Sequence, residues 1–260
     1  MLAQQRQALI VEEVRRHGAV RVSELVAKLN VSDMTVRRDL ESLARRGLLD
    51  KVHGGATAPS DYSTDEPGFV AKSSREQPEK DAIADAAAAL VQPGTAVGLS
   101  AGTTTYALAQ RLSNVAALTV VTNSTRVADV LHESSRPDRV VILTGGIRTP
   151  SEALVGPVAV NTLRSLHLDI VFLGVHGMDA RSGFTTPNLL ESDTNRALLE
   201  AGRNVVVVAD HTKWNVVGIS TIAQLEEADV LVTDEGLGDD ARSVLEERVG
   251  ELVVATSESP

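Results

Sequence analysis

Seven short apolar runs between residues 95 and 256 constrain this chain more than any other feature. They are TAVGLS (95–100), LTVVTNS (118–124), VVILTGG (140–146), DIVFLGVHG (169–177), NVVVVAD (204–210), VLVTD (230–234) and ELVVAT (251–256). A strand that is apolar at nearly every position, rather than at every second one, is buried on both faces. Helical segments such as YALAQRL, STRVADVLHES, NTLRSLH and TNRALLEAG lie between many of the runs. This alternation predicts an α/β domain, a mainly parallel sheet covered by helices.

The first 57 residues follow a different pattern. Leu9, Ile10 and Val14 recur at helical spacing, with Gly18 as a stop. A β-like AVRV follows, and Ser23 stands where an N-cap is needed before ELVAKLN. Val31 and Ser32 form a tight connection. Ser32 is placed to cap a longer helix, DMTVRRDLESLARR, whose apolar stripe is Val36, Leu40, Leu43 and Ala44 and which Gly47 ends. Two helices joined by so short a turn make a helix-turn-helix. LLDKVHGGA reads as a β-hairpin wing. Residues 56–71 are rich in Ser, Thr, Pro and Asp without periodicity, as in a linker or a strap. The predicted organisation is a winged helix-turn-helix over 1–57, a linker over 58–72 and the α/β domain over 73–260, with its first helix from about Glu79.

Charge divides the chain at the same place. The formal net charge is −10, but residues 1–55 carry ten Lys and Arg against seven Asp and Glu, a balance of +3. The remainder carries 15 against 28, a balance of −13. The local field near the phosphates decides nucleic-acid binding, so the head is judged alone. Thr35, Arg37 and Arg38, with Ser32 just before them, occupy the end of the second helix that meets base edges in a major groove. Arg pairs bidentately with guanine, and Thr reaches a thymine methyl or a phosphate. Lys51 and His53 sit on the wing. Double-stranded operator DNA is the expected partner. A helical bundle with solvated arginines is the alternative.

The ends of the apolar runs are small and polar: Ser100-Ala-Gly-Thr-Thr-Thr, Thr122-Asn123-Ser124, Gly145-Gly146, His176-Gly177, Asp210-His211-Thr212-Lys213 and Thr233-Asp234. Ligands bind at the carboxyl ends of strands in open α/β sheets. SAGTTT leads straight into a helix, where free N–H groups and hydroxyls suit a phosphate. Lys80 and Lys213 are candidates for the balancing charge. Neither a P-loop nor a GxGxxG fingerprint occurs.

VSDMTVRRDLESLARRGLL followed by VHGGA resembles the DeoR family of bacterial transcriptional repressors. So do EKDAIADAA, GLSAGTTTYALAQRL, TVVTNS, LTGG, LDIVFLGVHGMD with GFTTP behind it, and ADHTKW, so the likeness covers nearly the whole chain. Asp50-Lys51 departs from the basic residues usual before that wing. The resemblance implies a sheet domain of the ribose-5-phosphate isomerase and CoA-transferase type that senses a phosphorylated sugar or related metabolite, and it alone implies repression. It implies that Gly102, Thr103, Thr104 and Thr105 form a phosphate loop, that Asn123 and Gly146 line the pocket, and that Asp169, Lys80 and Lys213 sit at or near it.

An isomerase or deaminase-like enzyme with an appended DNA-binding head is the main alternative. Isomerases of that type place paired carboxylates in an Asp-Gly-Ala-Asp-Glu stretch. Here the stretch reads Leu173-Gly-Val-His-Gly-Met-Asp179, which leaves His176, the displaced Asp179 and, outside the stretch, His211 as candidate bases, so no catalysis is expected. The six His show no paired metal-ligand spacing, no GxSxG elbow occurs, and no cofactor is expected. The absence of Cys excludes a disulfide scaffold, a Cys-ligated metal and a thiol nucleophile. The charged start lacks a signal-peptide core, and no run approaches the ~18 apolar residues of a membrane span. A cytoplasmic homo-oligomer without membrane contact is expected.

Overall fold

The computed structural model describes residues 2–17, 19–45, 48–52, 54–57, 64, 66, 68–73, 75–134 and 136–256. The chain divides into two compact units, Met1–Tyr62 with Val70–Arg75, and Ser63–Phe69 with Glu76–Pro260.

The first unit runs α1 (Ala3–His17), β1 (Ala19–Arg21), α2 (Val22–Leu29), α3 (Asp33–Arg45), β2 (Asp50–Val52) and β3 (Gly55–Thr57). Ser32 caps α3 as expected, its Oγ accepting the Thr35 N–H at 3.2 Å. The start of α2 differs from expectation. Ser23 lies inside that helix, and the Arg21 N–H donates to Glu24 Oε2 at 3.1 Å, so a side chain three residues on closes the turn instead. Ile10, Val14, Leu25, Val36, Leu40 and Leu43 form one buried cluster between the three helices. Asp39, itself buried, accepts from Arg6 Nε at 2.5 Å and from Gln7 Nε2 at 3.1 Å, which ties α1 to α3. The three strands order as β1-β3-β2, all antiparallel. A Cβ on Gly55 would collide with the Val20 carbonyl oxygen, so only glycine lets β3 lie this close to β1. The expected stops Gly18 and Gly47 fall outside the described residues.

A short helix, α4 (Phe69–Ser73), follows. The second unit then runs α5 (Gln77–Ala88), β4 (Ala96–Leu99), α6 (Thr103–Leu112), β5 (Thr119–Thr122), α7 (Thr125–Glu133), β6 (Val140–Leu143), β7 (Ile147–Arg148), β8 (Leu154–Val155) and α8 (Pro157–Arg164). It continues through β9 (Leu168–Gly174), β10 (Gly177–Asp179), β11 (Gly183–Thr186), α9 (Leu189–Ala201), β12 (Gly202–Val208), β13 (Ser220–Ala223), β14 (Val230–Asp234), α10 (Asp239–Arg248) and β15 (Glu251–Ala255). Side chains set several boundaries: Ser124 caps α7, Asn188 caps α9, and prolines open α5 and α8.

All seven apolar runs become strands of one parallel sheet, ordered β15-β14-β12-β9-β4-β5-β6. From β4 the chain winds outward through β5 and β6, returns to the other side of β4 as β9, and winds outward again. The reversal between β4 and β9 is a topological switch point of a doubly wound sheet. Helices α5, α6 and α7 pack on one face through Ile83, Ala87, Leu108 and Val127 against Val97, Phe172 and Val206. Helices α8, α9 and α10 cover the other through Leu163, Leu198 and Leu245 against Val171, Val207 and Leu231. Each of these Val, Leu, Ile and Phe side chains contributes ~1.5–3 kcal/mol by leaving water. A second sheet, β10-β11-β13, and the pair β7-β8 are additions the apolar pattern did not signal.

Within the stretch predicted as linker, Glu66 and Phe69 belong to the second unit. Glu66 accepts from Ser151 Oγ at 3.1 Å and from Asn188 Nδ2 at 2.9 Å, and Phe69 meets the edge of Tyr106 at 5.5 Å.

Candidate functional site

The outward face of α3 carries the DNA-binding candidates. The apolar stripe faces the core, which leaves Met34, Arg37, Arg38 and Glu41 exposed on the opposite side. Ser32 Oγ and Thr35 Oγ1 lie 2.8 Å apart, so these two hydroxyls serve the cap first. Arg37 Nε donates to Asp33 Oδ1 at 2.5 Å one turn back, and this bond raises its already high pKa. Arg38 makes no hydrogen bond or ion pair among the described residues, so its guanidinium fork is uncommitted. Lys51, on β2, reaches back to Glu41 Oε1 at 2.6 Å. His53 lies outside the described residues. Met34, 77% exposed, was missed by reading charge alone. Its signal was available, since residue 34 falls opposite the stripe where an apolar residue has no core to fill.

The ligand candidates gather on the rim at the carboxyl ends of the large sheet. Ser100 follows β4 directly, and its Oγ accepts the Gly174 N–H at 2.9 Å, joining the ends of the two strands at the switch point. Asn123, after β5, accepts the Ala101 N–H at 2.9 Å and donates to Leu154 O at 3.3 Å. Both ends of this buried amide therefore hold the loop before α6 in place. Thr103, Thr104 and Thr105 form the first turn of α6, whose N–H groups have no partner within the helix. Thr105 Oγ1 donates to Gly102 O at 3.1 Å, while Thr104 is almost fully buried. Gly146, after β6, takes a positive φ of 127°, and a Cβ there would sit 2.6 Å from Val155 O. Close packing against β8 accounts for this glycine. Lys80 is buried in the first turns of α5, a helix packed on β14, β12 and β15. Lys213 follows β12 in a short 3₁₀ turn, with Nζ 4.0 Å from Asp210 Oδ2.

Asp169 does not join them. It is the second residue of β9, and its Oδ2 accepts the N–H of Ala96, the first residue of β4. Five residues separate it from the carboxyl end of its strand, roughly 16 Å at ~3.3 Å per residue. The expectation failed because a strand lists both of its ends alike in sequence, and only the rim end faces the crevice.

Of the candidate bases of an isomerase, Asp179 and His211 are each held by neighbouring groups. Asp179 Oδ1 accepts the N–H groups of Arg181 and Ser182 in the turn between β10 and β11. Burial pushes its carboxyl up, but the Ser182 and Arg181 hydrogen bonds outweigh this and hold it below the ordinary range. The His176 N–H donates to Thr185 O at 3.2 Å. His211 Nδ1 lies 2.7 Å from Asp234 Oδ1, and its backbone N–H donates to Asp234 Oδ2 at 2.7 Å. Among the described residues no group of His, Asp and Glu is arranged to hold a metal ion, and no helix is long and apolar enough to cross a membrane.

A winged helix-turn-helix in one unit and a doubly wound sheet with a polar rim in the other define a DNA-binding regulator with a separate sensing domain. Residues 6–61 match the DeoR-like helix-turn-helix domain, and residues 75–235 match the DeoR C terminal sensor domain. The HTH-type transcriptional regulator YgbI of Escherichia coli K12 is 38% identical over 259 residues, covering 99% of this chain and 100% of that protein. A putative aga operon transcriptional repressor of Escherichia coli O157:H7 is 32% identical over 96% of this chain and 93% of its own length. The glycerol-3-phosphate regulon repressor of Escherichia coli K12 is 33% identical over 88% and 90%. This chain belongs to the DeoR family and is a DNA-binding transcriptional regulator. Among solved structures, ribose 5-phosphate isomerase A from Methanocaldococcus jannaschii superposes with a TM-score of 0.38 at 17% identity, over 52% of this chain and 53% of that one.

Proposed function

We propose that this protein represses genes of sugar metabolism and leaves its operator when a phosphorylated sugar or a related metabolite binds the rim of the large sheet. The observation that carries the DNA half is the capped α3, with Arg37 and Arg38 exposed and Arg38 uncommitted. In this reading Arg38 and Met34 meet base edges, Arg38 pairing with guanine and Met34 packing on a thymine methyl. Thr35, Ser32, Arg37, Lys51 and His53 position the helix and wing on the backbone, Arg37 and Lys51 exchanging Asp33 and Glu41 for phosphates. On the rim, the first turn of α6 with Gly102, Thr103 and Thr104 holds the phosphate, and Lys80 and Lys213 supply positive charge. Asn123, Gly146 and Thr105 shape that loop.

Two relatives bear the name of repressors, one of a glycerol-3-phosphate regulon and one of an aga operon, which supports repression and a phosphorylated effector. Copies of the protein assemble so that paired heads read half-sites about one helical turn, or a multiple of it, apart. The effector releases DNA by binding the DNA-free arrangement more tightly, typically by about 1–3 kcal/mol. The reading is one of binding without catalysis, supported by Asp179 Oδ1 accepting two backbone N–H groups of its own turn. The protein acts in the cytoplasm, where its operator is. Footprinting of the purified protein on DNA upstream of its own gene tests the reading. A protected site lost on addition of a phosphosugar is expected, and the absence of any protected site would overturn it.

A further inference from the structure

The two edges of the large sheet are not alike. At one edge β15 begins with the exposed Glu251, and its Leu252, Val253 and Val254 are half-buried. At the other, β6 reads Val140-Val-Ile-Leu143, with Val140 53% and Leu143 42% exposed. Folded proteins guard a free edge with charge, proline or a bulge, because its unpaired N–H and C=O groups recruit another strand. β6 has none of these guards. The charges just before it are engaged elsewhere. Arg139 Nη2 donates to Leu112 O at 3.1 Å and to Ser113 O at 2.6 Å, and Asp138 is held by Arg136 at 3.0 Å. The apolar surface continues onto α8, where Val158 is 60% exposed and its Cγ1 lies 3.4 Å from where a Cβ on Gly145 would be. Backbone direction then fixes how a further strand docks. The N–H groups of Val140 and Thr144 donate to Leu118 O and Thr122 O, toward β5. By alternation, the N–H and C=O groups of Val141 and Leu143 point outward.

We infer that β6 of a second copy of this chain pairs with this edge, antiparallel about a two-fold axis at Ile142, so that one sheet runs through both subunits. Val141 and Leu143 then exchange both backbone bonds with Leu143 and Val141 of the second copy, and Ile142 faces its own twin. A second copy is the occupant because the strand is complementary to itself. In a two-fold pairing any charge on the strand would lie close to its twin, and β6 carries none. The exposed Leu143 gains an apolar neighbour in Val141 of the second copy, on the face covered by α7. Val140 shares the other face with Ile142, which packs on the cluster beneath α8 and α9. There it lies opposite Thr144 of the second copy, and the Val158 that stands over the neighbouring Gly145 closes the contact. The inference rests on the proposal that copies assemble, and names the surface; it does not depend on the effector.

Sedimentation equilibrium of the whole chain, without DNA or effector, tests this. The protein should sediment as a dimer or an even multiple of one. Leu143→Lys changes an exposed side chain, so its far-UV circular dichroism should stay the same. It should raise the dissociation constant of the dimer at least roughly tenfold, by setting like charges beside the axis. A wild-type monomer would overturn the inference and leave β6 to a different protein. A folded Leu143→Lys that assembles as tightly as wild type would overturn it too, and place the interface elsewhere. Because the chain has no cysteine, a single introduced one reads the axis directly. Ile142→Cys faces its twin at the ~4.5 Å Cα spacing of a non-bonded antiparallel pair, within disulfide reach, so mild oxidation should link two chains on a non-reducing gel. Ile147→Cys, at a more exposed position off the axis, should stay unlinked. Any result in which Ile142→Cys does not link faster than Ile147→Cys would overturn the pairing. Failure on either count leaves the operator reading standing, since footprinting tests that without reference to β6.

Discussion

Arg37 and Arg38 are neighbours of one type, yet they differ in their partners among the described residues. Arg37 is tied to Asp33, an exposed pair one turn apart that contributes little to folding because solvent screens it. Arg38 has no competing partner. Arg38→Ala should therefore cost about 1–3 kcal/mol in operator affinity and relax preference at one base position, as read by gel shift on operator variants. Unchanged affinity would place Arg38 on bare surface. Thr104 is the counterpart on the rim. Thr104→Met should leave operator binding intact and abolish release by the effector, and a mutant that still releases would put the pocket elsewhere. The capped helix starts and polar strand ends were legible, since both are local signals. In sequence His211 stands out only as a member of a polar run and a candidate base. His211 is paired with Asp234, 23 residues away, and only the fold brings that residue to it.

Among the elements, strands lying in continuous apolar runs were readable and those outside them in the second unit were not. All seven runs form the large sheet, whereas β7, β8, β10, β11 and β13 are two to four residues long and carry no period to detect. The turn between β7 and β8 shows how such pieces are held. Glu152 there accepts from Arg148 Nε at 2.9 Å and from Thr125 Oγ1 at 3.1 Å. The Arg148 bond, chiefly, holds its carboxyl below the ordinary value, outweighing burial, with Thr125 adding to it. A depressed carboxyl stabilises the folded state above its unfolded pKa of 4.5 and loses that stabilisation as pH falls through the lower, folded value. Glu152→Gln should thus lower the thermal midpoint at pH 7 and narrow the difference from wild type on descending below pH ~4. A difference constant with pH would show that the charge on Glu152 contributes nothing.

On the scale of the molecule, the net charge of −10 conceals a basic head and an acidic body. The two also have separate cores, the cluster of α1, α2 and α3 sharing no residue with those on the two faces of the large sheet. Separate cores unfold separately unless an interface couples them. Calorimetry of the full-length protein should show two transitions, with a phosphosugar raising the one that belongs to the sheet unit, by ~2.7 kcal/mol of stabilisation at a hundred times its Kd. A single transition with equal calorimetric and van't Hoff enthalpies would show that the units fold as one.

Sequence by itself determined the helix-turn-helix, its cap at Ser32, the seven buried strands and the polar character of their ends, because periodicity, capping and burial of apolar runs act over a few residues. The tertiary structure alone decided which strands lie side by side. That order puts the switch point between β4 and β9, and the parallel register of those two strands sets Asp169 beside the start of β4, away from the rim. Strand order comes from packing and crossover connections between segments tens of residues apart, and no local pattern records it.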